Sequence, residues 1–142
     1  MKIYDCFMFY DEDLVADLRL NILNEHVDEF IIVESKFTHS GEKRELLFDI
    51  NKYSNFKNKI NYIALDNEPY NLEKVTNFDT EDKTNSKYIM NALKRENFQR
   101  NEITKGLTKA NPEDLILISD VDEIPNLSNL DVSKVNNEIV LF

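Results

Sequence analysis

The run Leu115-Ile116-Leu117-Ile118-Ser119-Asp120-Val121-Asp122-Glu123-Ile124-Pro125 changes character more sharply than any other part of the chain. Leu115 to Ile118 is unbroken and branched apolar, the pattern of a strand buried on both faces in a parallel sheet. It breaks at once into Ser119, Asp120, Asp122 and Glu123, and Pro125 bars a simple continuation. Ligands of open α/β sheets bind beyond the carboxyl ends of the strands. Hard cations carrying phosphates take oxygen ligands from a few carboxylates. An Asp-x-Asp in this position therefore points to a metal–diphosphate site.

Upstream, the same strand-then-polar rhythm repeats. Lys2 to Phe9 reads as a first strand, and Tyr10-Asp11-Glu12-Asp13 as the turn into a helix whose dipole its acids complement. Leu14, Leu18 and Ile22, with Val15 and Leu23 beside them, recur at helical spacing and predict the inward side of that helix, to about Glu25. Phe30 to Val33 is a second buried strand ending in Glu34-Ser35-Lys36, followed by a polar loop through Thr38, His39, Ser40, Gly41, Glu42 and Lys43. Ile60 to Leu65 reads as a third strand. The mostly polar stretch Asp66 to Asn85 reads as an irregular connection, Ser86 to about Lys109 as a long helix, and Glu138 to Phe142 as a further strand. Alternating strands and helices predict an α/β fold, a mainly parallel sheet flanked by helices, in a single domain over residues 1–142. Chain ends are usually polar and frayed. An apolar run at the terminus sets the expectation that the chain is truncated after the Asp-x-Asp region or completed by further sequence.

Composition narrows the partners. The chain has 142 residues, 42% hydrophobic and 31% charged, one domain's worth of soluble globular sequence. No apolar run approaches the roughly 20 residues of a membrane span. The first residues carry Asp5 inside their apolar stretch and no small-residue cleavage site, so they read as a strand rather than a signal peptide. A cytoplasmic location is expected on these grounds. The net charge of −10 argues against a nucleic-acid partner. An anionic ligand must then be held by a metal or by a few placed cations. The single Cys6 forbids an intramolecular disulfide and reads as a small core residue. With only Gly41 and Gly106, both the Walker loop and the G-x-G-x-x-G fingerprint are excluded.

Three further groups bear on chemistry. Ile89, Leu93, Glu96, Arg100, Ile103 and Leu107 alternate in steps of four and three and so share one helix face. Glu96 and Arg100 interrupt that stripe one turn apart, in the favourable order. They are either a stripe-edge ion pair whose stems pack inward, or an arginine aimed at a diphosphate and oriented by Glu96; a planar guanidinium suits phosphate oxygens. Glu34 ends a buried strand and should share the rim of the sheet with Asp120, accepting hydrogen bonds from a ribose or sugar hydroxyl, or else stand as a solvated loop acid. Lys43 and Lys36 are the nearest candidate cations.

Other chemistries compete for the aspartates. An EF-hand is excluded, because Ile124 and Pro125 stand where that loop needs a ligand and a glycine. His26 and His39 lack partners at zinc spacing. A phosphohydrolase with Asp120 as nucleophile remains an alternative, although its motif would be expected on an early strand. So does a non-catalytic nucleotide-sugar-binding fragment, or a plain acidic turn.

Four motifs in order carry a resemblance: Asp5-Cys6-Phe7 with Phe9-Tyr10-Asp11-Glu12; Ile32-Val33-Glu34-Ser35 with Thr38-His39-Ser40-Gly41; Arg95-Glu96-Asn97-Phe98-Gln99-Arg100-Asn101; and Ser119-Asp120-Val121-Asp122-Glu123-Ile124-Pro125. Together they resemble glycosyltransferase family 17, whose eukaryotic type member adds the bisecting N-acetylglucosamine to N-glycans. The resemblance implies a GT-A-like, Rossmann-type nucleotide-sugar-binding domain, a UDP-sugar donor such as UDP-GlcNAc and a glycan acceptor. It also implies Mn²⁺ or Mg²⁺ held against the donor diphosphate. By the same resemblance Asp122 would ligate the metal directly, and Asp120 would bond the ribose or the metal's water. Glu34 and the loop Phe9, Tyr10, Asp11 would face the nucleoside, with Lys43 nearby, and Arg100 and Glu96 would approach the phosphates. Family members continue beyond the Asp-x-Asp with acceptor-binding elements and a catalytic base, so the base is expected to lie outside this chain. Without the anchor of the Golgi enzymes, the chain resembles a soluble bacterial or viral relative.

Overall fold

The computed structural model of the chain describes residues 1–131, 134 and 135. The strand expected over Glu138–Phe142 lies outside them. Four parallel strands form the sheet: β1 (Ile3–Phe9), β2 (Glu29–Ser35), β3 (Ile60–Leu65) and β4 (Leu115–Ile118), in the order β3-β2-β1-β4. The register sets Cys6 opposite Ile31 of β2 and Ile118 of β4, and Phe9 opposite Glu34. An α/β Rossmann-like fold is therefore present, as the alternation of strands and helices predicts.

Strand side chains alternate between faces, and both faces are covered. On one, Phe7, Phe9, Phe30, Ile32 and Leu117 pack with Ala16, Leu20 and Leu23 of α1 (Asp13–Leu23) and with Tyr53 and Phe56 of the segment before β3. On the other, Tyr4, Cys6, Ile31, Val33 and Leu65 pack with Ile103, Phe98 and Leu107. Phe98 belongs to α2 (Glu81–Asn101), Ile103 to the 3-10 turn that follows it, and Leu107 to the turn just beyond. Gly106 lets that turn approach β2, where a Cβ would stand 2.6 Å from a methyl of Ile31. Burial, with the Asp5 carboxylate second, pushes the Cys6 thiol up to about 12. Cys6 is a neutral core side chain.

Three expectations need correction. Helix α1 presents Ala16, Arg19, Leu20 and Leu23 to the sheet, while Leu14, Leu18 and Ile22 remain 82%, 52% and 48% exposed. Both stripes have helical spacing; the second wins because Arg19 has a buried partner in β1. Helix α2 begins at Glu81 rather than near Ser86. Thr80 caps it by accepting from the Lys83 amide (3.3 Å), and Glu81 and Asp82 complement its dipole. It ends at Asn101, tightening into a 3-10 turn before Lys109, and Ile89 and Leu93 stand exposed along it. Strand β4 is an edge strand among the described residues, so Ile118 is half exposed and only Leu117 is fully buried.

The sheet order reverses beside β1. After β1 the chain lays down β2 and β3 on one side, then returns to place β4 on the other. That crevice, at the carboxyl ends of β1 and β4, is where ligands of such sheets bind. The choice of helix face is directly testable. Leu20→Ala should cost about 2–5 kcal/mol in urea unfolding, whereas Leu18→Ala should stay within about 0.5 kcal/mol.

Candidate functional site

A cleft of about 780 Å³ opens at this crevice, within the roughly 300–1,000 Å³ range of small-molecule sites. Met8, Phe9 and Tyr10 line it from the end of β1, and Ser35 with the turn Phe37–Ser40 from the end of β2. Glu96 and Gln99 enter from α2, and Asp120, Val121 and Asp122 close the side beyond β4.

The Asp-x-Asp turn is held from beneath by Arg19. Its Nε and Nη2 donate to the two carboxylate oxygens of Asp5, each at 2.8 Å, and both residues are fully buried. Nη1 donates to the backbone carbonyls of Asp120 (2.7 Å), Val121 (3.2 Å) and Glu123 (3.1 Å), and Nη2 also reaches Ser119 Oγ at 2.7 Å. The cation lies over the Phe7 ring, 5.0 Å from its centroid. A buried guanidinium is tolerable only with its donors satisfied. One side chain therefore ties α1, β1 and the turn together. Glu123 finishes the turn from above, its carboxylate accepting from the Asp120 amide at 3.2 Å.

The two aspartates differ in their freedom. Asp120 accepts from Arg100 at 3.4 Å, and Arg100 also pairs with Glu96 at 3.1 Å. Arg100 thus lies between Glu96 and Asp120, and the stripe-edge pairing with Glu96 is present. The Asp122 carboxylate is exposed on the cleft and has no protein partner among the described residues. Those residues contain no group of three or more His, Cys, Asp or Glu that could cage a metal. Two hard oxygen donors on a cleft suit a cation shared between carboxylates and phosphate oxygens, the usual arrangement for Mg²⁺.

The structure revises other expected site residues. Glu34 is neither a rim acceptor nor a solvated loop acid. It is fully buried and accepts from the amides of Leu47 (2.8 Å) and Phe48 (3.0 Å) and from Tyr62 Oη (2.8 Å), while Arg44 pairs with it at 2.9 Å. Burial, then the bond to Glu34, raises the Tyr62 hydroxyl well above its ordinary pKa, so it stays a donor. Glu34 has become the anchor of the segment after the turn. Lys43 is exposed and outside the cleft; Lys36 pairs with Asp66. The cation that lines the cleft is Arg44, one residue further on. It bonds the carbonyls of Ser35 (2.9 Å) and Tyr10 and lies 4.3 Å from the Tyr10 ring centroid. Phe9 and Tyr10 line the cleft, but exposed Asp11 does not, its carbonyl capping the Asp13 amide at 3.0 Å.

Arg95 braces the Thr38–Gly41 turn from α2, pairing with Glu68 at 2.6 Å and donating to the His39 carbonyl at 3.2 Å. Gly41 sits at φ +95°, and a Cβ there would meet the Arg95 guanidinium at 2.5 Å. Arg19, Arg44, Arg95 and Gln99 all escape a reading of charge and periodicity. The one available signal for Arg19 is Asp5, an acid inside a core strand that needs a buried counter-ion.

Comparison with known proteins adds one result. The family model of glycosyltransferase family 17 matches residues 1–140. No curated protein and no solved structure matches the chain.

Removing either partner of the buried pair, by Arg19→Met or Asp5→Leu, should cost about 3–5 kcal/mol by leaving a lone buried charge. The double variant should regain much of that loss in urea unfolding. Its Ser119–Glu123 amides should nevertheless exchange with deuterium faster than in the parent chain.

Proposed function

The chain belongs to glycosyltransferase family 17, and on that premise we propose that it transfers N-acetylglucosamine from UDP-GlcNAc to a glycan acceptor. Glycosyl transfer, with a sugar donor and an acceptor, is what the family implies. Proposed beyond it are the sugar, the UDP carrier and the need for a divalent ion. The observation that carries it is the Asp122 carboxylate, without a partner among the described residues and held beside Asp120 at the point where the sheet order reverses.

In this reading Asp122 ligates Mn²⁺ or Mg²⁺, and Asp120 bonds a water of the ion or the donor's ribose. The ion, when bound, neutralises charge developing on the departing diphosphate. Arg19 keeps both aspartates aimed without reaching the ligand. Arg100, already 3.4 Å from Asp120, supplies a cation on the phosphate side, and Glu96 restrains its approach. Arg44 and Tyr10 offer a stacked planar surface at the other end of the cleft, suited to a nucleobase. In a chain of net charge −10, these few local cations are what make a doubly charged donor acceptable. Among the described residues no helix is long and apolar enough to cross a membrane.

Calorimetric titration with UDP, with and without Mn²⁺, tests the proposal. UDP should bind only with the ion, and Asp122→Ala should abolish that dependence while changing unfolding free energy by no more than about 0.5 kcal/mol. Folded protein that ignores UDP in both conditions would contradict it. Hydrolysis of a simple phosphate ester, lost in Asp120→Asn, would favour a phosphohydrolase instead.

A further inference from the structure

Gln99 has a position that the family motif alone does not explain. It is only 6% exposed, yet it forms part of the cleft wall. Its amide can point only one way. Nε2 donates to the Val33 carbonyl at 3.0 Å, and the flipped rotamer would set two acceptors against each other. That leaves Oε1 as the end facing away from β2. Among the described residues it has no protein partner, and it is not one of the sealed, unpartnered atoms of the interior. A side chain nine-tenths buried thus keeps one idle acceptor. Such groups are normally satisfied, because an unpaired one forfeits its solvation.

Its place in the fold narrows the ligand atom. Val33 lies on β2, and β1 separates β2 from β4. At about 4.8 Å per strand, Gln99 is anchored roughly 10 Å from the strand that leads into Asp120 and Asp122. A group attached to a diphosphate held by those aspartates is at that range. Phe37 shares this part of the wall, and the Tyr10 ring, backed by Arg44, lies on the same cleft. Flat aromatic surfaces beside a lone acceptor suit a heterocycle that presents a ring N–H. Uracil does so at N3, between two carbonyls, whereas cytosine has a lone pair there.

We propose that Gln99 sets the base specificity of the donor site, its Oε1 accepting a hydrogen bond from N3–H of uracil. This rests on the nucleotide-sugar reading above and adds a residue and an atom to it. The simpler occupant is a water, since Gln99 also borders a void of about 10 Å³, room for one molecule.

Binding of UDP, 3-methyl-UDP and CDP in the presence of Mn²⁺ separates these cases. The parent chain should bind UDP about tenfold tighter than either analogue, the scale of one lost hydrogen bond in a closed site. In Gln99→Leu the affinity for UDP should fall to the level of the analogues, so that the preference disappears. Equal binding of UDP and 3-methyl-UDP by the parent chain would overturn the assignment, with no dependence on how well the variant folds. A preference that survives in folded Gln99→Leu would also overturn it and leave water as the occupant. If the substitution weakens UDP-GlcNAc but not UDP, Oε1 faces the sugar and the uracil assignment fails. Absence of any nucleotide binding by the parent chain would sink the nucleotide-sugar reading itself, a result distinct from all of these.

Discussion

The buried ion pair between Arg19 and Asp5 is the constraint from which the rest of the site follows. Two charges at zero exposure carry a desolvation penalty of several kcal/mol each, offset only by good geometry and full hydrogen bonding. The pair therefore admits one arrangement. Helix α1 must turn its Arg19 face to the sheet, β1 must offer Asp5 on that same face, and the turn after β4 must lend its carbonyls to the guanidinium. This is why Leu14, Leu18 and Ile22 are left outside. The chain exposes an apolar stripe because the other stripe contains the residue that organises the site.

The rest of the cleft is built in a similar way, by charges that bind backbone rather than ligand. Glu34 gathers the Leu47 and Phe48 amides with Arg44 and Tyr62, so the segment after the turn is pinned to β2. Arg95 fills the space that Gly41 leaves and steadies the Thr38–Ser40 wall. With these groups saturated internally, the side chains left open toward the cleft stand out. Among the described residues they include Asp122 at the end beyond β4 and the Gln99 oxygen at the end near β2. A nucleotide sugar presents complementary features at a comparable separation: charged phosphates bound to a metal, and a flat base with a single ring donor.

Much of this could be read from residue order alone. The parallel α/β sheet follows from Leu115–Ile118, Phe30–Val33 and Ile60–Leu65, because short apolar runs bounded by polar turns have few other uses. The place of Asp120 and Asp122 follows from the strand they terminate. What could not be read are facts of pairing. Helical periodicity in α1 is satisfied by two stripes, and hydrophobicity alone favours the one that is exposed. Glu34 looks like a rim acid until the amides and the Tyr62 hydroxyl that surround it are placed by the fold. Lys43 and Arg44 are adjacent, and only the antiparallel pairing of Phe37 with Lys43 determines which of them turns to the cleft. The start of α2 is a different matter, since Thr80, Glu81 and Asp82 announce it plainly before any apolar periodicity begins.

In the proposed function, the turn held by Arg19 presents Asp122 to a metal-bound nucleotide diphosphate. Anomalous diffraction at the manganese edge, on crystals grown with Mn²⁺ and UDP, measures this directly. One manganese peak is expected, about 2.0–2.2 Å from an Asp122 carboxylate oxygen and shared with phosphate oxygens. UDP bound in the cleft with no metal at Asp122, or manganese bound only elsewhere on the surface, would contradict the account.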